Sequence, residues 1–147
     1  MKTKLFSLML SAGLYLCIAA NGQAQCSNAT LYGEYEFHTQ GVVVPAGTPR
    51  VNLAVLTFDG NGNYFSRFVT NDNGTITRGT LLGLGYSVNA DCTGVSLDAQ
   101  GAEGGVFIVL RGGEEFTFIR TNPSSLVIFG SGKRIRGSNE KHKTGRP

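Results

Sequence analysis

The feature that most constrains the fold is a two-residue alternation of apolar and polar positions that recurs along most of the chain. In residues 31–38, Leu31, Tyr35 and Phe37 fall on one side and mostly polar residues fall on the other. Successive side chains of a β-strand point to opposite faces, so this alternation predicts a strand with one buried face. No segment of ten residues shows a sustained helical period. The sequence therefore predicts an all-β protein.

Turn sequences rich in Asn and Gly separate the alternating segments. Asp59-Gly-Asn-Gly62 and residues 71–74 are the clearest, because Asn and Gly tolerate the positive φ angles of tight hairpins. They and other turns divide the chain into eight predicted strands: 31–38, 51–58, 63–70, 75–88, 95–99, 106–111, 114–120 and 126–135. Eight antiparallel strands joined by short turns can close into a barrel, which removes exposed edges. A two-sheet sandwich is the alternative, but its long crossovers are hard to place here. We expect a single antiparallel eight-stranded barrel.

One predicted strand carries glycines at alternate positions. In residues 75–88 the alternation places Thr80, Leu82, Leu84, Tyr86 and Val88 on one face, and the opposite face contains two glycines. Glycine in a strand leaves room for a neighbouring side chain or for a bend of the sheet.

The N-terminal segment has the pattern of an export signal. Lys2 and Lys4 precede an apolar run at 5–20, and Gly22-Gln-Ala24 places small residues where a signal peptidase reads them. We expect residues 1–24 to be a cleaved signal peptide, residues 25–136 a β-barrel domain and residues 137–147 a flexible basic tail. The alternative is an uncleaved anchor, but the apolar run is short for a spanning helix of about 20 residues. The predicted product is secreted or periplasmic, with no stable membrane insertion after cleavage.

Export decides how the three cysteines are interpreted. Cys17 leaves with the signal peptide, so the mature chain keeps Cys26 and Cys92. In an oxidising compartment two cysteines most simply form one disulfide, and two unpaired thiols are the alternative. A Cys26–Cys92 disulfide would leave no thiol for nucleophilic catalysis or for metal binding.

Positive charge is concentrated at the C terminus. The whole chain has a formal net charge of +3, and residues 133–147 carry six basic residues against one acidic residue. Such a segment can meet an acidic partner, so an interaction protein that docks through its basic tail is one alternative function. The tail lacks the interleaved aromatic residues that stack on bases, and we expect no nucleic-acid partner. The sequence leaves the oligomeric state open.

Three segments carry a resemblance to a known family. They are Cys-Ser-Asn-Ala-Thr-Leu-Tyr-Gly-Glu-Tyr at 26–35, Leu-Thr-Phe-Asp-Gly-Asn-Gly-Asn at 56–63 and Gly-Tyr-Ser-Val-Asn-Ala-Asp-Cys-Thr-Gly at 85–94. These segments resemble exported bacterial proteins grouped as allene oxide cyclase barrel-like, within the lipocalin-like architecture, over most of residues 26–136. The resemblance implies an eight-stranded barrel with a pocket. It transfers no catalytic residue, because none of the plant cyclase's catalytic positions is matched.

The sequence offers few groups for catalysis or metal binding. It has no Gly-x-Ser-x-Gly elbow, and its two histidines, His38 and His142, lie in unrelated places, so neither a triad nor a zinc site is expected. Asp59 begins a loop with some oxygen ligands of a calcium site, but Tyr64 and Thr70 replace the required Gly and Glu. We expect no metal and no cofactor, and a non-enzymatic protein is favoured.

A binding function remains. A barrel of this size is either filled by its own side chains or holds one small ligand, and the sequence leaves both open. The predicted ligand-binding residues are aromatic, with one arginine at a mouth: Tyr35, Phe37, Phe58, Tyr86, Phe116, Phe118 and Arg120. The first hypothesis is a secreted barrel that binds a small hydrophobic molecule. The second is an allene-oxide-cyclase-like isomerase or cyclase acting on a lipid-derived substrate. A buried carboxylate or other convergent polar groups would favour the second, and an apolar cavity or none would favour the first.

Overall fold

The chain forms a closed antiparallel barrel of eight strands that follow one another in sequence order. The computed structural model describes residues 25–135. The strands are β1 (Tyr32–Val43), β2 (Thr48–Asp59), β3 (Asn63–Asp72), β4 (Thr75–Val88), β5 (Thr93–Leu97), β6 (Glu103–Leu110), β7 (Glu115–Arg120) and β8 (Leu126–Arg134). Within this range the helical structure is limited to two three-residue 3₁₀ turns, Asn28–Thr30 and Arg111–Gly113. The predicted fold class is confirmed. The predicted signal segment and basic tail lie outside the described residues.

The first two strands extend further than their sequence indicates. Residues 41–49 look like a turn-rich connection, but β1 continues to Val43 and β2 begins at Thr48, which leaves a turn of only 44–47. Gly41 is needed for close approach of two strands. A Cβ at this position would lie 1.9 Å from the carbonyl oxygen of Val127 on β8. The glycine that suggests a turn therefore allows β8 to pair with β1 and close the barrel.

β4 changes its inward face at an irregularity in its pairing with β3. Ser66 pairs with Leu81, but Tyr64 pairs with Leu84, so the register shifts between these two pairs. Gly83, with φ of 70°, adopts the left-handed backbone conformation within the shifted segment. Leu81 lines the barrel interior, whereas Thr80 does not. The expectation that Thr80 shares a face with Leu84 is therefore wrong, because the register shift reverses the alternation.

One end of the barrel is closed by the N-terminal segment, residues 26–31. Leu31 is fully buried at this end. The hydroxyl of Tyr86 lies 2.9 Å from the carbonyl oxygen of Asn28 and 3.0 Å from that of Leu31, and the backbone N–H of Val88 donates to Asn28 Oδ1 at 2.7 Å. A disulfide then links Cys26 to Cys92, with their Cα atoms 5.0 Å apart, which confirms the predicted pairing. These contacts fix residues 26–31 as the floor of the barrel.

Aromatic side chains fill the interior above this floor. The ring of Phe58 lies 5.3 Å from Tyr35 and 5.0 Å from Tyr86 between centroids, both in edge-to-face geometry. Phe116 lies 6.0 Å from Phe58 and 6.1 Å from Phe107. Such ring pairs stabilise a core beyond their area burial by about 0.5–1.5 kcal/mol each. The half of the barrel next to the floor is therefore solid.

The opposite end is open, and the wall has a gap there between β4 and β5. The two strands pair only over Gly85–Val88 of β4, with Leu97 as the last partner on β5. Residues 75–84 pair with β3 and, among the described residues, with no other strand. Asp98, Ala99 and Gln100, in the turn after β5, line the cavity together with Leu81, Leu82 and Leu84 of this stretch. Leu81 and Leu82 are also exposed to solvent.

Candidate ligand-binding cavity

A cavity of about 570 Å³ runs from the aromatic core to the open end. This volume lies within the range of roughly 300–1,000 Å³ that is usual for small-molecule pockets. The cavity wall next to the core is apolar and consists of side chains from six strands: Phe37, Leu56, Phe58, Leu84, Tyr86, Phe107, Phe116, Phe118 and Ile128. The sequence leaves open whether side chains fill the barrel or leave room for a ligand. In the structure, one half of the barrel is filled and the other half is hollow.

Six of the seven predicted ligand-binding residues line this cavity: Phe37, Phe58, Tyr86, Phe116, Phe118 and Arg120. Tyr35 does not. Its side chain is fully buried at the closed end, where its hydroxyl donates to the carbonyl oxygen of Gly113. The Arg134 guanidinium covers its ring at 5.1 Å from the centroid. Tyr35 therefore packs at the closed end of the barrel and not in the cavity wall, and ligand binding by the other six stays a prediction.

The sequence interpretation did not identify the polar side chains of the cavity wall. Arg50 and Asn52 on β2 share the inward face with Leu56 and Phe58, and Tyr64 lies on the neighbouring strand. Their two-residue spacing from Leu56 and Phe58 was a usable signal. For Arg50 the signal is hidden because residues 41–49 resemble a connection, whereas Asn52 and Tyr64 lie within the predicted strands 51–58 and 63–70.

Two of these polar side chains, both on β2, have an ion-pair or hydrogen-bond partner on β3. Arg50 Nη1 lies 2.8 Å from Asp72 Oδ2 in a half-buried ion pair. The hydroxyl of Thr70 donates to Asn52 Oδ1 at 3.0 Å. Since buried polar groups are stable when they are hydrogen-bonded, this side of the mouth is satisfied without a ligand.

Arg120 occupies the opposite side of the mouth, at the end of β7. Its Nη1 donates to the carbonyl oxygen of Asn122 at 3.2 Å. Burial lowers the pKa of Arg120, and the positive charge of Arg50 lowers it further, while Tyr64 acts in the opposite direction. An arginine nevertheless keeps its charge at any ordinary pH. The mouth thus holds a half-buried cation with a second cation close enough to affect it.

The phenol of Tyr64 interacts electrostatically with Arg120. Burial raises the pKa of Tyr64, and the charge of Arg120 and a hydrogen bond with Ser96 oppose that rise. Its phenol is therefore protonated at neutral pH and can donate a hydrogen bond into the cavity.

Asp98 is the carboxylate that lines the cavity within residues 25–135. Its Oδ1 accepts the backbone N–H groups of Gln100 and Ala102, both at 2.9 Å. These bonds shape the turn that follows β5, in the manner of an Asx turn. The carboxylate is engaged in the turn, so it is a poor candidate for a proton-transferring group.

Outside the barrel, one pair of side chains has the composition of a hydrolytic dyad. Ser131 Oγ lies 3.3 Å from His38 Nε2 on the outer face of β8 and β1. A catalytic histidine needs a third group that orients its other ring nitrogen. In the described part of the chain, no carboxylate is hydrogen-bonded to His38, and the pair is exposed to solvent. It does not constitute a hydrolytic site.

The carboxylate of Asp59, which the sequence places at the start of a calcium-like loop, is occupied by hydrogen bonds within that loop. Asp59 Oδ1 accepts the backbone N–H of Asn61 at 2.7 Å and that of Asn63 at 3.0 Å, and Oδ2 accepts the Asn63 side-chain amide at 2.8 Å. These bonds lower the pKa of Asp59, with the side chain of Asn63 as the largest cause. Between residues 25 and 135, no three His, Cys, Asp or Glu side chains are grouped so that they could hold a metal ion.

The chain matches no protein-family model, and no curated protein or solved structure is similar enough to count as a match. No helix in the described range is long and apolar enough to cross a membrane. Function therefore has to be inferred from the cavity itself.

Proposed function

We propose that this protein is a secreted, non-enzymatic binding protein that takes up one small hydrophobic molecule in the barrel cavity. The observation that supports this is the cavity of about 570 Å³, closed by aromatic rings at one end and open at the other. A disulfide between Cys26 and Cys92 agrees with an oxidising, exported location. The proposal includes membership of the allene oxide cyclase barrel-like family, whose architecture accommodates a pocket.

The aromatic wall is arranged before any ligand enters. Phe37 stacks on Phe116 at 5.6 Å between centroids and meets the edge of Phe118 at 5.6 Å. A wall that is already ordered loses little conformational freedom on binding, so more of the apolar contact energy appears as affinity. Apolar surface removed from water contributes about 25 cal/mol per Å². A small apolar guest is the kind of molecule that gains most from this wall.

The gap between β4 and β5 offers such a guest an apolar route. Leu81 and Leu82 line the cavity beside the gap and are 50% and 70% exposed. Leu97 lines the cavity on the other side, on β5. Exposed leucines that border an opening allow an apolar molecule to leave water gradually. We therefore assign ligand entry to this side opening.

A neutral fluorescent dye, N-phenyl-1-naphthylamine, tests the proposal. We expect it to bind the full mature chain with one site and enhanced emission. Ser66→Leu adds an apolar side chain at a buried cavity position and should weaken dye binding at least tenfold. Ser87→Leu is the matched control, because Ser87 is exposed on β4 and does not line the cavity. Equal dye affinity in the two variants, or no binding by the natural sequence, would overturn the proposal.

The isomerase or cyclase alternative has one observation in its favour. Tyr64 and Arg120 are polar groups that both line the cavity and influence each other's pKa. A protonated phenol next to a cation can act as a general acid or polarise a carbonyl. Mass spectrometry of protein purified from its own host, before and after incubation, tests this. A bound molecule that rearranges in the natural protein and not in Tyr64→Phe would favour catalysis, whereas an unchanged molecule favours binding.

A further inference from the structure

Of the two arginines that line the cavity, Arg50 and Arg120, Arg120 is the one without an ion pair in the described residues. No carboxylate in residues 25–135 lies within ion-pair distance of its guanidinium. Four other arginines of the same range each have a carboxylate partner: Arg50, Arg67, Arg111 and Arg134. The protein contact of Arg120 is with the carbonyl oxygen of Asn122, which uses one of its five N–H donors.

The surroundings of Arg120 disfavour its positive charge. Its side chain is half-buried, and Arg50 across the mouth adds like-charge repulsion. Asp98 also lines the cavity, but its carboxylate is bound to backbone N–H groups of its own turn. A half-buried cation with unused donors gains most from an anion that enters the same space.

The position of Arg120 relative to the aromatic wall defines the shape of such an anion. Phe116, Phe118 and Arg120 alternate along β7 and all line the cavity. With a strand rise of about 3.3 Å per residue, the guanidinium end of this row lies about 13 Å along the strand from Phe116. The row therefore presents an apolar surface that leads to a single positive charge at the mouth.

We propose that the ligand is an amphiphilic anion, with a carboxylate-type head against Arg120 and an apolar body over Phe116 and Phe118. This inference rests on the proposed function, since it specifies the chemical class of the molecule that the cavity holds. The guanidinium binds a carboxylate through two parallel hydrogen bonds. Tyr64 lines the same cavity, and its phenol is close enough to Arg120 to be affected by its charge.

Displacement of the bound neutral dye by three ligands with a ten-carbon chain tests the inference. Decanoate, decan-1-ol and decyltrimethylammonium share an apolar body and differ in the charge of the head. Hydrogen bonds to charged groups contribute about 1.5–3 kcal/mol, so decanoate should displace the dye about tenfold to a hundredfold more effectively than decanol. The cationic ligand should be the weakest of the three.

Three variants assign the preference to Arg120. Arg120→Gln should bring decanoate to the affinity of decanol, and Arg120→Lys should retain part of the preference because it keeps the charge. Arg67→Gln is the control, since Arg67 is an exposed arginine that pairs with Glu34 outside the cavity. It should leave the preference unchanged. Should Arg120→Gln fail to fold, the comparison of Arg120→Lys with Arg67→Gln still tests the assignment.

The outcomes separate this inference from the proposed function. If decanoate and decanol bind the natural protein equally, or if Arg120→Gln keeps the preference for decanoate, the anionic ligand is refuted while the cavity remains a binding site. If neither the dye nor any of the three ligands binds, the proposed function itself is refuted.

Discussion

Replacement of Gly132 by alanine is a direct test of how closely the aromatic core is packed. A Cβ on Gly132 would lie 2.2 Å from Cε1 and 2.3 Å from Cζ of Phe116. Both distances are far shorter than a carbon contact of about 3.5–4.0 Å. Phe116 is only 3% exposed, and its ring contacts Phe37 and Phe107 on other strands, so moving it aside disturbs both contacts.

The expected loss follows from two opposing effects. Overpacking a well-packed core destabilises by about 1–3 kcal/mol, whereas Gly→Ala stabilises by about 0.4–1 kcal/mol through the unfolded chain. Gly132→Ala should therefore lower the free energy of unfolding by about 1–2 kcal/mol. Gly104→Ala is the matched control in another strand. Its Cβ would meet nothing closer than Ser96 Oγ at 3.7 Å, so only the stabilising effect applies.

Urea unfolding followed by far-UV circular dichroism measures both variants. With an m-value of about 2 kcal/mol/M, the expected loss moves the midpoint of Gly132→Ala by about 0.5–1 M. Phe116→Leu in the Gly132→Ala background should recover part of the loss, because the smaller side chain leaves room for the added methyl group. If Gly132→Ala is as stable as Gly104→Ala, or if the two changes at 132 and 116 are additive, the described packing of the core is wrong.

The remaining predictions concern the disulfide and pH. Replacing Cys26 and Cys92 by serine should lower the free energy of unfolding by up to about 4 kcal/mol in the chain-entropy model, since the disulfide spans 66 residues; unchanged thermal unfolding would contradict this. In alkali, absorbance titration should detect phenols that ionise only above pH 10, because burial raises the pKa of three tyrosines: Tyr35, Tyr64 and Tyr86. Their contribution to stability is complete below pH 10 and is lost as pH rises through the raised pKa values, so stability that already falls below pH 10 would count against it. In acid, the lowered pKa of Asp59 means that its contribution to folding stability is present above the ordinary pKa of 3.8 and is lost as pH falls below it. Asp59→Ala should remove that part of the acid dependence of urea unfolding.

The sequence was sufficient for the architecture because its two signals are local. Alternation such as that of Tyr35 and Phe37 reports which face of a strand is buried, and Asn-Gly reversals such as 59–62 report where strands end. Eight such segments with short turns leave few arrangements besides a barrel. The disulfide was predictable too, because two cysteines in a chain that is expected to be exported have one simple pairing.

The parts that were not predictable depend on contacts between distant segments. Gly41 looks like a turn residue until β8 is seen to pass directly beside it. The change of face in β4 arises from its register with β3, which the alternation within residues 75–88 does not contain. The division of the interior into a solid and a hollow half depends on summed side-chain volumes. The position of Tyr35 at the closed end depends on its contacts with Gly113 and Arg134. None of these is encoded in local periodicity.

The short pairing between β4 and β5 makes this barrel a cylinder with one weak seam. Only Gly85–Val88 join the two strands, whereas β1 and β2 are paired along all of Tyr32–Val43. Local opening takes place where few backbone hydrogen bonds have to break, well below the free energy of global unfolding. Thermal breathing will therefore widen this seam first, and amide hydrogen exchange will be fastest there. Under the proposed function, this breathing would give a ligand a route in and out while the floor and its disulfide stay intact.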